Sequence, residues 1–245
     1  MLWNLWETLS ISLKCTIFAN GAFWLASAVN AWADHLAQTK QSPYLARLKL
    51  QPSVFLTKDE FLDVISVAAF NMLLVAPLVC CPLFEICWNA LHPADRMTES
   101  EPWHWKRELP LIPCYMMATE FFFYGAHYCM HKPWLYQTIH KVHHRFKAPC
   151  AMAATYAHPI EFILGNVAPI ASGPMLLNAH PYSAYFWFAM ALLSTCKGHS
   201  GYNFLNAQTH DVHHQYSMGN YGVLHVGDFL LGTTFQKDMG GDKRL

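Results

Sequence analysis

The feature that most constrains this chain is a set of spaced histidines. Between Glu120 and His144 (EFFFYGAHYCMHKPWLYQTIHKVHH), five of the fifteen histidines fall into two groups: His127 with His131, and His140 with His143 and His144. Far downstream, His210, His213 and His214 repeat the second spacing. On a helix, residues three or four apart share a face, so each group presents its imidazoles together. Neutral imidazole is a ligand for zinc, copper, iron and nickel. A lone histidine on an apolar helix is usually a satisfied core residue, but three boxes with repeated spacing are not explained that way. Eight imidazoles are too many for one metal, since a zinc site takes about four ligands. They suit two metals sharing a histidine-rich cage, which requires three distant segments to meet on one side of the molecule.

The surroundings of the boxes are apolar. Hydrophobic residues make up 53% of the 245-residue chain and charged residues 13%, against a usual charged share of about 25%. This is the balance of an integral membrane protein, and about 20 apolar residues span a bilayer. Apolar runs cover residues 11–33, 61–88, 109–131, 160–178 and 181–198, so we expect an all-α membrane bundle of about four or five spans. Pro77 and Pro82 interrupt the second run and predict a kinked span or a helical hairpin. Residues 1–108 are expected to hold N-terminal spans and loops, and residues 109–245 a catalytic domain carrying the boxes. If the spans end where these apolar runs end, all three boxes fall on the side that also carries most Lys and Arg, the cytosolic side.

Other features narrow the function. Net charge is zero with histidine neutral, so no nucleic-acid footprint appears. The eight scattered cysteines, including adjacent Cys80 and Cys81, do not read as a disulfide framework. Glu120 lies within an apolar run; it is either functional or hydrogen-bonded to a neighbouring helix. His92, His104 and His180 lack ligand spacing and are expected to be structural. No G-x-G-x-x-G fingerprint exists, so a redox activity would need an external electron donor.

Several stretches together resemble the fatty acid hydroxylase superfamily, and within it the methylsterol monooxygenases. FYGAHYCMH resembles the first box, IHKVHHRFKAPCAMAATYAHPIE the second, and THDVHHQYSMGNYG with DFLLGT the third and its tail. GHSGY and KLQP resemble two shorter elements. The chain departs from the usual pattern at Tyr128 (usually Arg), Gly125 and Gly227 (Trp), Thr155 (Glu) and Lys197 (Asp). The resemblance implies a non-haem diiron monooxygenase in the endoplasmic reticulum membrane, multi-pass, with its cap in the cytosol. It implies dioxygen as co-substrate and a sterol C4-methyl group, or another lipid, as the site oxidised. Electrons would come from NAD(P)H through a membrane haem protein and a reductase. His199 becomes a ninth ligand by this resemblance and His158 a weaker candidate. Glu161 and Asp228 become candidate carboxylates standing behind ligands; Asp211, inside the third box, is either a third such carboxylate or, by default, part of a solvated face. Two other readings stay open: a hydroxylase or desaturase of a different lipid, and a zinc-loaded or metal-free sterol-binding protein. A metal transporter fits less well, since its ligands should lie within spans rather than at their ends.

Overall fold

The structure, a computed structural model, describes residues 6–203, 207–238 and 241–244. Helix α1 (Ile11–Gln38) starts at Ser10, whose side chain accepts the Leu13 amide. The short α2 (Pro43–Leu48) has proline at its start. Helix α3 (Lys58–Leu91) opens on a Thr57–Glu60 capping box. It does not fold back as a hairpin. Pro77 is absorbed by a π-helical stretch, Asn71–Cys80, which continues directly into Cys81–Leu91. Helix α4 (Trp105–Met130) ends in the first histidine box.

Between α4 and α6 the chain makes only short turns. Pro133–Leu135 (α5) runs into a π turn, Tyr136–His140, and His143–Arg145 forms a 3-10 turn. The second box is therefore not one α-helical face. Helix α6 (Pro159–Glu161, then Phe162–Val167 as a π turn, then Ala168–Leu176) and α7 (Pro181–Gly198) form an antiparallel pair. Helix α8 (Ala207–Tyr216) carries the third box, and α9 (Val226–Leu231) follows. Among the described residues the regular elements are helical except for one hairpin, β1 (Phe235–Asp238) against β2 (Gly241–Arg244).

Helix α1 packs along α7, and α4 along α6. One hydrophobic core joins residues on both sides of position 108, from Phe23 and Trp88 to Tyr115 and Trp187. Among the described residues one helix, Lys58–Leu91, is by itself long and apolar enough to cross a membrane. The outer faces of the other long helices are also apolar and exposed: Leu25 and Trp32 on α1, Phe121 on α4, Phe186 on α7.

The segment after α2 fastens the far end of α1 to the third-box side. Lys49 is buried, pairs with Asp34 at 2.5 Å and lies over the Tyr202 ring. The Leu50 amide donates to the Gly201 carbonyl at 2.9 Å. The Gln51 amide donates to the Lys147 carbonyl at 2.8 Å and to Asp211 at 3.1 Å, tying the second box to the third.

Candidate metal centre

The structure brings all nine histidines singled out above into two adjoining groups. His127, His131, His140, His144 and His213 form one; His143, His199, His210 and His214 form the other. Within each group one ligand atom per residue lies within 4.8 Å of every other. Both triplets divide in the same way. The i and i+4 members stay together, and the i+3 member turns to the other group. On the α-helical third box, positions i+3 and i+4 are about 100° apart around a helix of 3.6 residues per turn, so one triplet serves two neighbouring centres; the second box reaches the same division through a π turn and a 3-10 turn. His199, at the end of α7, completes the second group.

Second hydrogen bonds fix the rings. The Nδ1–H of His127 donates to the Tyr221 carbonyl at 2.8 Å, that of His143 to the Tyr156 carbonyl at 3.1 Å, that of His199 to the Thr195 carbonyl at 2.9 Å, and that of His213 to the Gly219 carbonyl at 2.6 Å. His140 donates to the Glu161 carboxylate at 2.7 Å. A neutral imidazole has a single N–H, so each of these Nε2 atoms carries a bare lone pair. The Nε2 atoms of His143 and His199 then face each other at 3.3 Å with no proton between them. Two lone pairs so placed repel unless a cation lies near both.

Other separations agree. His131–His140 and His140–His144 are 3.0 Å apart at Nε2, His144–His213 3.1 Å and His199–His210 2.9 Å. Two nitrogens at right angles, each about 2.1 Å from a shared metal, are about 3.0 Å apart. His127 Nε2 and both ring nitrogens of His214 are buried without a partner, an arrangement that costs free energy unless something binds them. The donor set therefore fits two metal ions.

Burial keeps the rings neutral. Desolvation pulls His143 down to about 4 and His199 to about 3, and it holds His210, His213 and His214 well below the ordinary value. Neutral rings at pH 7 leave their lone pairs free for a metal.

The other residues named from the sequence divide. His158 stays outside both groups; its Nδ1 accepts the Ile160 amide and starts α6. His92 donates to the Met175 carbonyl, and His180 to the Glu101 carbonyl, both away from the cluster. Glu161 backs His140 directly. Asp211 faces Gln51 and ties segments together instead of backing a ligand. Asp228 accepts the Tyr221 and Gly222 amides, each at 2.8 Å, and so holds the strand of loop whose carbonyl receives His127. Burial pushes the Asp228 carboxyl up, but these amides with His225 and Thr233 outweigh it and hold it below the usual range.

Sequence reasoning missed the carbonyl partners and Gln51. The loop Ser217–Asn220 was the one readable hint: Ser217, Gly219 and Asn220 all have positive φ, and this turn aims the Gly219 carbonyl at His213. A Cβ at Gly219 would collide with the Phe235 Cβ. Glu161→Ala should weaken metal retention about 10–100-fold, the usual cost of losing an outer partner, while the fold persists. Competition with a chelator measures this; unchanged retention would show that the carboxylate does not set His140.

Helices that converge on two lone-pair-lined histidine groups define a histidine-built dinuclear type of centre. A profile described as "Fatty acid hydroxylase" matches residues 112–233, which include all nine histidines. The chain belongs to the fatty acid hydroxylase superfamily. It is 34% identical over 196 residues to fatty acid hydroxylase ahd1 of Mycosarcoma maydis, covering 78% of this chain and 50% of that protein. It is 34% identical over 157 residues to very-long-chain aldehyde decarbonylase GL1-8 of Oryza sativa subsp. indica, covering 58% of each. It is also 34% identical over 144 residues to methylsterol monooxygenase 2-2 of Arabidopsis thaliana, covering 53% of this chain and 54% of that one. The chain thus spans about half the length of the curated relatives it matches. No solved structure matches.

Proposed function

We propose that this chain is a membrane-bound, non-haem diiron monooxygenase acting on a lipid, with a sterol C4-methyl group as the first substrate to test. The observation that carries the reading is the pair of histidine groups with unpartnered, inward lone pairs. His127, His131, His140, His144 and His213 would hold one iron, and His143, His199, His210 and His214 the other. Iron held there would supply dioxygen activation and oxidation of an unreactive C–H bond.

The chain's own residues do the rest. Carbonyls hold Nδ1–H of His127, His143, His199 and His213, and Glu161 that of His140, which leaves these five Nε2 atoms free. Burial shields most of the histidines from bulk water. A cavity of about 30 Å³ lined by Phe123, Met130, Gly165 and Asn166 adjoins His127 and His199. That is room for a molecule the size of water or dioxygen.

The apolar outer faces of α1, α3, α4, α6 and α7 favour several spans, in the endoplasmic reticulum membrane with the cap in the cytosol. Exposed Phe229, Leu230 and Leu231 on α9 suit the bilayer surface. Electrons would come from NAD(P)H through a membrane haem carrier and its reductase. A second reading keeps the chemistry and changes the lipid; the fatty acid hydroxylase and aldehyde decarbonylase similarities favour it.

The test is turnover of the iron-loaded chain with an electron-donor system, labelled dioxygen and a lipid extract. A lipid that gains labelled oxygen is expected, and a 4-methyl sterol doing so favours the first reading. Iron-loaded protein that oxidises no lipid would overturn the enzymatic reading in favour of lipid binding.

A further inference from the structure

A cavity of about 1070 Å³ lies outside the histidine centre, bounded by α3, α4, α6 and α9 and open on one side. Its lining runs from Met117 to Ala126 on α4 and from Ile163 to Leu176 on α6. At 1.5 Å per residue these stretches are about 14 and about 20 Å long. One leaflet of a bilayer, half of about 30 Å, has a similar depth of hydrocarbon.

The few polar groups in the lining are already engaged. Glu120 accepts three amides, the Tyr124 hydroxyl meets Thr233 at 3.0 Å, and Ser172 donates to the Pro169 carbonyl. The wall therefore offers contact to hydrocarbon, and beyond these groups its side chains add only the weakly polar thiols of Cys80 and Cys87. One end abuts the histidine side. Ala126 lines the groove and the next residue is His127; Leu164 lines it and the next residue, Gly165, lines the small chamber. Gly125 opens the wall: a Cβ there would meet nothing within 4 Å.

We propose that this groove holds the elongated hydrocarbon body of a membrane lipid, admitted sideways from one leaflet, and that the missing side chain at Gly125 sets how bulky that body can be. The proposal rests on the lipid-oxidation reading for its purpose, but the binding it describes is separately measurable. An acyl chain and a sterol share this chemistry, and the experiment tells them apart.

The full chain, metal-loaded in lipid nanodiscs, is irradiated with a diazirine-bearing long-chain fatty acid or a diazirine-bearing sterol, and adducts are mapped by peptide mass spectrometry. Adducts are expected at groove residues such as Phe121, Leu164 and Leu230. Gly125→Trp should lower them about tenfold or more, at unchanged metal content. Gly21→Trp, on an exposed face of α1 that also has open space, should not. If Gly125→Trp does not fold, Gly125→Leu is compared instead. Labelling by one probe alone assigns the source; labelling by both assigns the shared hydrocarbon. Adducts spread evenly over the outer helices, or equal labelling in Gly125→Trp and Gly21→Trp, would overturn the groove. Groove labelling without any lipid oxidation sinks the oxidation reading alone, and oxidation without groove labelling sinks the groove alone.

Discussion

Replacing His143 or His213 with Ala is expected to strip one metal from the chain and to abolish lipid oxidation. His143 belongs to the four-histidine group and His213 to the five-histidine group, so the two variants empty different halves. Each loses a nitrogen that water does not replace equivalently at a redox metal. Retention at the affected half should fall by more than the 10–100-fold that an outer partner costs. Each variant also leaves a backbone carbonyl without its donor, Tyr156 at 3.1 Å for His143 and Gly219 at 2.6 Å for His213, so the variant that loses the shorter bond, His213→Ala, should be the less stable of the two. His92→Ala and His180→Ala provide the contrast. Each loses hydrogen bonds remote from the cluster, worth about 1–3 kcal/mol if a buried partner is orphaned, and both should keep full metal. Metal per chain and lipid oxidation are measured at equal amounts of folded protein. If His92→Ala proves as damaging as His143→Ala, or if His143→Ala turns over normally, the boxes are not the active centre.

The local part of this site was legible because ligand spacing is local. His127 with His131, and His210 with His213 and His214, sit on helices as their spacing predicts. The second box was harder. Its histidines lie on a π turn followed by a 3-10 turn, after the short helix that Pro133 starts. His199 has no spaced partner, and only the resemblance around GHSGY pointed to it. Tertiary packing of α7 against α8 makes it a neighbour of His210, 2.9 Å away. The apolar runs predicted the long helices well. They did not reveal that Pro77 would be accommodated by π-helical winding within a single α3, since a proline signals a break without saying how the freed carbonyl is satisfied. Backbone carbonyls, which orient four of the nine rings, have no sequence signature at all. The side-chain partners of the cap behaved alike: Gln51 reaches two boxes at once, and nothing in KLQP announces that reach.

Replacement of Glu120 should have the largest effect outside the ligands. Its carboxylate is buried within α4. One oxygen accepts the amides of Val223 and Leu224, each at 2.7 Å, and the other accepts the Gly227 amide at 3.0 Å. The sequence left open whether this residue was functional or simply hydrogen-bonded to a neighbouring helix. The structure shows it bonded, to a loop and the start of α9, with a bearing on the site. The same loop carries Tyr221, whose carbonyl receives His127. Glu120→Ala orphans three amides at once. Hydrogen bonds to a charged group contribute about 1.5–3 kcal/mol each. Val223 and Leu224 are themselves exposed, so water can recover part of the loss, and a net cost of about 2–4 kcal/mol is expected. Glu120→Gln keeps one acceptor but turns an NH₂ toward at least one amide, donor against donor, so it should fall between wild type and Ala. Both variants should loosen residues 220–227 and weaken metal retention in the five-histidine group more than in the other. Thermal unfolding, hydrogen exchange over 220–227 and metal content at each half measure this. A Glu120→Ala protein that unfolds at the wild-type temperature and protects the loop equally well would show that the carboxylate does not hold it. Equal loss of metal from both halves would show that the loop does not communicate through Tyr221 and His127.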